Sequence, residues 1–141
     1  MKKIIGYTTG VFDLFHVGHL NIIEQASRMC DELVVGVSSD DLVKDYKGHK
    51  PIVPADERVR IVNSLSCVNR VIIQHSLDKM EAWHELKFNI TFHGDDWKDT
   101  DLFHKIVSDF EKVGVKSVFF QYTEGTSSTI LKNYLSDLGY F

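Results

Sequence analysis

The sequence predicts an α/β fold in which helices cover both faces of a five-stranded parallel sheet. Short apolar, β-branched runs alternate along the chain with segments of helical periodicity, and the links between them are short. Such an alternation implies right-handed crossovers. Because no linker, internal repeat or low-complexity segment interrupts its 141 residues, we expect one domain over residues 1–141.

Five runs have the length and composition of buried strands, at residues 3–8, 33–38, 70–74, 90–93 and 116–121. Four other segments have helical periodicity, and the last two, "DLFHKIVSDFEKVG" and "SSTILKNYLSDLG", both end at a glycine. The apolar positions that share a face in the first three are Leu20, Ile23, Ala26 and Met29; Val59, Val62 and Leu65; and Phe103, Ile106, Val107 and Phe110.

Composition excludes several classes of protein. A formal net charge of −4 argues against a nucleic acid partner. The apolar runs are too short to cross a membrane, and the start "MKKIIGYTTG" has no signal-peptide pattern, so we expect a cytoplasmic protein without a membrane partner. Cys30 and Cys67 show no redox or metal spacing and are expected to be reduced.

Every unusual polar stretch follows a predicted strand. In chain order these stretches are "TTGVFDLFHVGH", "SSDD", "HSLDK", "GDDW" and "YTEGTSS". The carboxyl ends of parallel strands meet at one edge of the sheet, where ligands of open α/β folds bind. The sequence therefore predicts one binding site at this edge.

The first of these stretches has the residues of an anion cradle. Gly10 permits close approach of the backbone, and Gly18 stands between His16 and His19 where a helix begins. Free N–H groups and two imidazoles at that point suit phosphoryl oxygens and the extra charge of a five-coordinate phosphorus. The alternatives are that the two histidines cap the helix or fill space, or that they bind a metal.

These motifs resemble those of a known family. "GVFDLFHVGH" resembles the signature of nucleotidyltransferases with a His-x-Gly-His motif, while "GDDW" and "TEGTSST" resemble the glycerol-3-phosphate cytidylyltransferase branch. Similar sequences occur in phosphoethanolamine and phosphocholine cytidylyltransferases, archaeal FAD synthetases and heptose-phosphate adenylyltransferases, and "KGHKPIVPADERVRIV" resembles the last group.

The resemblance implies a single Rossmann-like domain and a defined reaction. The phosphate of a phospho-alcohol, glycerol 3-phosphate first, attacks the α-phosphorus of CTP, and a CDP-alcohol and pyrophosphate form without a covalent enzyme intermediate. Mg²⁺ accompanies the triphosphate, and no metal site of the protein itself is expected. The product would be a precursor of cell wall or capsule.

The resemblance also implies residue roles. His16 and His19 hold the triphosphate and stabilise the transition state, and Asp13 orients the loop or a magnesium ion. Substrate phosphates are received by Lys47, for which Lys50 is the alternative, and by Lys79, while Arg58 matches the family's arginine on its helix. Nucleotide binding is assigned to Val11, Phe12, Asp95, Asp96, Tyr122, Thr123, Gly125, Ser127, Ser128 and Thr129. The hydroxyl cluster among them suits phosphates at a helix start, and a plain N-cap is its alternative.

Three positions depart from the cytidylyltransferase pattern. Tyr122 replaces an arginine before "TEG", and Ser66 and Asn69 replace an arginine and an aspartate near the family's dimer contact, where we still expect a homodimer. Three other functions stay open: an adenylyltransferase acting on FMN or a sugar phosphate, an inactive nucleotide-binding regulator, and a metal-dependent nucleotide hydrolase that uses both histidines with Asp95 and Asp96.

Overall fold

The computed structural model describes residues 2–94, 99–121, 125 and 127–140. These residues form a parallel sheet of five strands in the order β3-β2-β1-β4-β5. The strands are β1 (Ile5–Gly10), β2 (Glu32–Ser38), β3 (Arg70–Gln74), β4 (Ile90–Gly94) and β5 (Lys116–Phe120). The predicted α/β fold with a five-stranded parallel sheet is confirmed.

The described part of the chain has six helices, one after each strand except for two between β2 and β3: α1 (Val17–Ser27), α2 (Asp40–Lys47), α3 (Ala55–Asn63), α4 (Lys79–Leu86), α5 (Asp101–Lys112) and α6 (Ser128–Asp137). Periodicity predicts four of them and misses α2 and α4, because eight residues make only about two turns. The placement of Met29 on the buried face is wrong: α1 ends at Ser27, and Met29 lies beyond it with 42% of its surface exposed.

Helices on both faces of the sheet enclose two apolar clusters. Val35 and Val37 face the first cluster with Ile23 of α1 and Val62 of α3. Val34, one residue out of phase, faces the second cluster, which also holds Ala82 of α4 and Phe110 of α5. The alternation along β2 therefore follows directly from the burial of both faces.

The strand order positions the functional edge. From β1 the chain passes outward through β2 to β3, then returns to β4 on the other side of β1. β1 and β4 are therefore neighbouring strands from which the chain progresses outward in opposite directions, and ligands of open α/β folds bind at the carboxyl ends of such a strand pair. Thr8 Oγ1 donates to the carbonyl of Phe92 at 3.2 Å and joins these two strands.

Gly36 in β2 is required by a close approach. Tyr7 is fully buried on β1, and its hydroxyl donates to Gln74 Oε1 of β3 at 2.7 Å, so the ring lies across β2. A Cβ at position 36 would stand 2.3 Å from Tyr7 Oη and 3.0 Å from its Cζ. The absence of a side chain at Gly36 thus lets a buried hydrogen bond cross the strand.

Gly36→Ala is expected to lower the free energy of unfolding by about 1–3 kcal/mol, because overpacking forces buried side chains from their preferred positions. Denaturant unfolding followed by circular dichroism measures the loss. Adding Tyr7→Phe removes the clashing oxygen, so the double variant should lose less than the sum of the single losses. Simple additivity would show that the hydroxyl is not what Gly36 accommodates.

Candidate active site

The loop between β1 and α1 adopts a strained conformation. Phe12 and Leu14, on either side of Asp13, have φ angles of 57° and 49°, in the left-handed region that side chains other than glycine rarely adopt. A Cβ on Gly10 would lie 2.8 Å from Phe12 Cζ, so the ring packs directly over this glycine. Contacts elsewhere must therefore hold the loop in place.

Asp13 supplies those contacts. Its carboxylate accepts hydrogen bonds from the backbone N–H groups of Ile52 at 2.8 Å and Val53 at 2.9 Å, and pairs with Lys132 Nζ at 2.9 Å. Burial alone raises the pKa of Asp13, but the hydrogen bonds from Val53 and Ile52 and the Lys132 ammonium lower it below its usual value. With both oxygens engaged by the protein, Asp13 orients the loop.

The two imidazoles form the N-cap of α1. His16 Nδ1 accepts from the backbone N–H of Gly18 at 3.1 Å, and His19 Nδ1 accepts from the N–H of His16 at 3.3 Å. The rings stack with centroids 3.8 Å apart. Because a neutral imidazole that accepts through Nδ1 carries its proton on Nε2, this network assigns an Nε2–H donor to each ring.

Both imidazoles are neutral near pH 7. Burial lowers the pKa of His16, and burial, His16 and Lys47 together lower that of His19 to about 4 against a smaller opposing effect of Asp13. Among the described residues, none bonds to the buried His16 Nε2. Helix capping and hydrogen-bond donation to a ligand are therefore compatible in His16, because Nδ1 caps the helix and Nε2–H stays available.

Two lysines add positive charge around this loop. Lys47, the last residue of α2, has a lowered pKa because of burial and the neighbouring Lys132, with Asp13 acting in the opposite direction. Lys132 is not among the residues predicted from the sequence, although it lies one turn into the helix that begins with the predicted hydroxyl cluster. Lys50 is exposed. Ammonium groups near two neutral donors suit a polyphosphate anion.

The N-terminus of α6 lies against the same loop. Ser127 is the N-cap and accepts from the N–H of Ile130 at 3.0 Å, while Ser128 Oγ donates to the carbonyl of Asp13. Thr129 and Gly125 are exposed. The plain N-cap therefore accounts for Ser127. Ser128, in contrast, links the start of α6 to the loop that precedes α1. The predicted nucleotide-binding residues Asp95, Asp96, Tyr122 and Thr123 lie outside the described residues.

Arg58 does not have the surroundings expected of a substrate-binding residue. Its guanidinium is fully buried and donates to the carbonyls of Val11, Ser38 and Val53, each at 2.8 Å, and to Asp40 Oδ1 at 2.6 Å. Every nitrogen is engaged by the protein, so this guanidinium fastens the ends of β1 and β2 to the segment before α3.

Four further residues that the sequence analysis names lie elsewhere in the fold. Phe12, expected to line the nucleotide pocket, packs in the first apolar cluster, while Val11 is half-buried and bonds Arg58 through its carbonyl. Lys79, the first residue of α4, is buried against His93 of β4 on the opposite face of the sheet from Phe12. Asn69, at a position where the resembling family has an aspartate, accepts from the N–H of Leu33 at 2.9 Å.

Two negative findings concern the described residues only. Among them no three histidine, cysteine, aspartate or glutamate side chains come together as a metal site would require. In the same part of the chain, no helix has the length and apolar character needed to span a membrane.

Comparisons with known proteins agree on a family. A family model described as cytidylyltransferase-like matches residues 7–134. The chain is 37% identical over 130 residues to the bifunctional protein HldE of Desulfatibacillum aliphaticivorans, covering 91% of this chain and 26% of that protein. HldE of Helicobacter pylori strain P12 is 34% identical over 131 residues, with coverages of 92% and 27%. The chain thus spans about a quarter of the length of these relatives.

Solved structures share the fold. A lipopolysaccharide core biosynthesis protein from Thermoplasma volcanium GSS1 aligns with a TM-score of 0.73 at 29% identity, over 89% of this chain and all of that one. Pantoate-beta-alanine ligase from Francisella tularensis, complexed with beta-gamma ATP and beta-alanine, aligns with a TM-score of 0.63 at 15% identity, over 98% of this chain and 70% of that one. The second likeness concerns the fold alone.

Arg58→Met is expected to lower the free energy of unfolding by about 3–5 kcal/mol, because it leaves buried carbonyls and Asp40 without their charged donor. Chemical denaturation measures the effect. Arg60→Met, an exposed change on the same helix, is the matched control and should stay within about 0.5 kcal/mol of the parent. A fully stable Arg58→Met variant would contradict the structural role.

The free energy of unfolding is expected to fall as the pH drops from about 6.5 to about 4, since His19 in the unfolded chain then binds a proton that the folded site refuses. His93, whose pKa burial and Lys79 lower to about 2, acts in the same direction. In His19→Gln the free energy of unfolding should therefore depend less steeply on pH over this window. The difference in slope should correspond to the uptake of at most one proton. Denaturation at stepped pH measures the slope, and equal slopes would contradict the assignment.

Proposed function

The chain belongs to the cytidylyltransferase-like family of nucleotidyltransferases, and on that premise we propose that it transfers a nucleotidyl group from a nucleoside triphosphate to the phosphate of a small acceptor, releasing pyrophosphate. The observation that carries the proposal is the stacked His16–His19 pair, in which each Nδ1 is occupied by backbone and each Nε2–H is a donor. This constellation stabilises charge on phosphoryl oxygens without abstracting a proton.

The proposed reaction needs no general base. An ionised oxygen of the acceptor phosphate attacks the α-phosphorus, the bond from that phosphorus to the bridging oxygen of the β-phosphate breaks, and pyrophosphate leaves with the electron pair. Negative charge gathers on the α-phosphoryl oxygens in the transition state. Preorganised Nε2–H donors and the N-terminus of α1 stabilise that charge at no cost of reorganisation.

The β- and γ-phosphates are assigned to the positive side of the same loop. Lys47, Lys132 and the N-terminus of α6 surround Asp13, whose carboxylate orders them and has both oxygens engaged by the protein. Mg²⁺ is proposed to arrive with the triphosphate and to neutralise part of its charge, since the Asp13 oxygens are already engaged by the protein. Asp95, Asp96, Tyr122 and Thr123 stay predictions from the resemblance.

Two choices of substrate have specific support. "GDDW" and "TEGTSST" favour CTP with glycerol 3-phosphate. The similarity to HldE and to a lipopolysaccharide core biosynthesis protein favours ATP with a sugar phosphate. The segment "KGHKPIVPADERVRIV" points the same way, and it contains the two residues whose N–H groups hold Asp13. We place cytidylyl transfer first and adenylyl transfer second; the homodimer and the cytoplasmic location also stay predictions.

One matrix of assays tests the proposal. Pyrophosphate release is measured with CTP, ATP, GTP or UTP crossed with glycerol 3-phosphate, phosphocholine, phosphoethanolamine, FMN or heptose 1-phosphate, and mass spectrometry identifies the product. Release that requires one triphosphate and one acceptor supports nucleotidyl transfer. Hydrolysis without an acceptor would indicate the hydrolase alternative, and nucleotide binding without turnover in any pair would indicate a regulator.

His16→Asn is expected to lower turnover about a hundredfold or more, the usual effect of losing one donor to developing charge, worth about 3 kcal/mol. The asparagine oxygen replaces Nδ1 as the cap for Gly18 while the Nε2–H donor is lost, so the stability should change little. Val17→Ala, at the exposed neighbouring position, is the matched control with near-normal turnover. A folded His16→Asn enzyme with full turnover would contradict the assigned role.

A further inference from the structure

A buried lysine and a buried histidine face each other at the carboxyl edge of the sheet. Lys79 Nζ lies 2.9 Å from His93 Nδ1, and the two residues are only 8% and 5% exposed. His93 is the penultimate residue of β4 and Lys79 the first residue of α4, so both stand at the carboxyl edge of the sheet. Among the described residues no carboxylate pairs with this amine.

We infer that His93 is a positioning residue for Lys79: it holds the lysine amine at the edge of the sheet, where the amine meets the phosphate of the acceptor. The inference rests on the proposed function, since it names a residue that prepares the acceptor side of the same reaction. His93 itself touches neither substrate, and it acts only through the Lys79 amine.

Among the described residues, the polar neighbour of the Lys79 amine is His93. Phe103 of α5 places its ring 5.1 Å from Lys79 Nζ, and the His93 ring packs on Phe103 and on Phe119 of β5. In the described part of the chain, α5 and β5 contribute aromatic rings around this pair, and the titratable side chain in contact with the amine is His93. A lysine in such a site costs stability unless a polar group orients it, and an imidazole Nδ1 is a fitting acceptor.

The same face of the sheet carries further unpaired polar atoms. Thr91 and Ser117 are opposite each other in the register of β4 and β5, as are His93 and Phe119, so all four side chains point to one face. Within the described residues, Thr91 Oγ1, His93 Nε2 and Ser117 Oγ are buried without a hydrogen-bond partner. Of these three atoms, His93 Nε2 belongs to the ring that contacts the Lys79 amine, whereas no hydrogen bond from Thr91 or Ser117 to that amine is found among the described residues.

The protonation states of Lys79 and His93 follow from their burial and their contact. Burial lowers the pKa of Lys79 to about 7, and Lys79 in turn helps to lower the pKa of His93 to about 2. The imidazole is therefore neutral and accepts a hydrogen bond from the amine, whether the amine is charged or not. An arriving phosphate dianion supplies the opposite charge that no described residue offers this buried amine, and binding favours its ammonium form.

Kinetics with matched variants test the inference. His93→Leu should raise the KM for the acceptor tenfold or more while leaving the KM for the triphosphate within about twofold, because only the orientation of Lys79 is lost. His93→Asn, whose side-chain oxygen replaces Nδ1, should restore most of the acceptor KM. Thr91→Val, on the same face but away from the amine, is the control and should leave both KM values unchanged.

A double-variant cycle separates positioning from packing. Lys79→Met alone should raise the acceptor KM at least as much as His93→Leu does. Adding His93→Leu to Lys79→Met should then leave the acceptor KM unchanged, because the lysine that His93 positions is already absent. An unchanged acceptor KM in folded His93→Leu, or a full further loss in the double variant, would overturn the inference.

A measurement without turnover keeps this test apart from the proposed function. Nitrogen-detected NMR of ¹⁵N-labelled lysine follows the titration of the Lys79 amine in the intact protein. Losing the Nδ1 acceptor should move its midpoint down by about one pH unit in His93→Leu and restore it in His93→Asn. Identical midpoints in all three proteins overturn the positioning contact, whereas shifted midpoints with no nucleotidyl transfer in any assay overturn the proposed function alone.

Discussion

The Asp13 carboxylate is the interaction on which the rest of the site depends. It lies in a loop whose flanking residues, Phe12 and Leu14, both have positive φ angles, a conformation that needs outside support. Its two oxygens collect donors from residues 52–53 and from Lys132 of α6. A carboxylate only 3% exposed is stable there because those donors replace the water it has lost.

Through Asp13 the protein brings together segments that lie far apart in the chain. The loop that leads into His16 and α1, the segment before α3 and the N-terminus of α6 all meet at one carboxylate, and Ser128 adds a second bond to the same loop. Arg58 acts in parallel from the other side, since it bonds the carbonyls at the ends of β1 and β2. One buried anion and one buried cation thus build the frame of the candidate site.

In this site the positive charge and the neutral hydrogen-bond donors are carried by different side chains. Lys47 and Lys132 supply the positive field, whereas burial keeps the imidazoles neutral, with their Nδ1 atoms committed to the start of α1. A neutral donor close to a positive field stabilises developing negative charge without competing for a proton. A net charge of −4 over the chain is therefore no obstacle to a site for polyphosphates, because the local arrangement decides.

The sequence by itself determined the fold class and the helix start that carries His16 and His19 after the first strand, because short β-branched runs, helical periodicity, glycines and paired histidines are local signals. It missed α2 and α4, which are too short for periodicity, and it missed Lys132. Only the tertiary structure decided that Arg58 is enclosed by carbonyls, that Phe12 joins the core and that His93 faces Lys79. Those outcomes depend on burial and on partners between about 14 and 47 residues away along the chain, which no local pattern encodes.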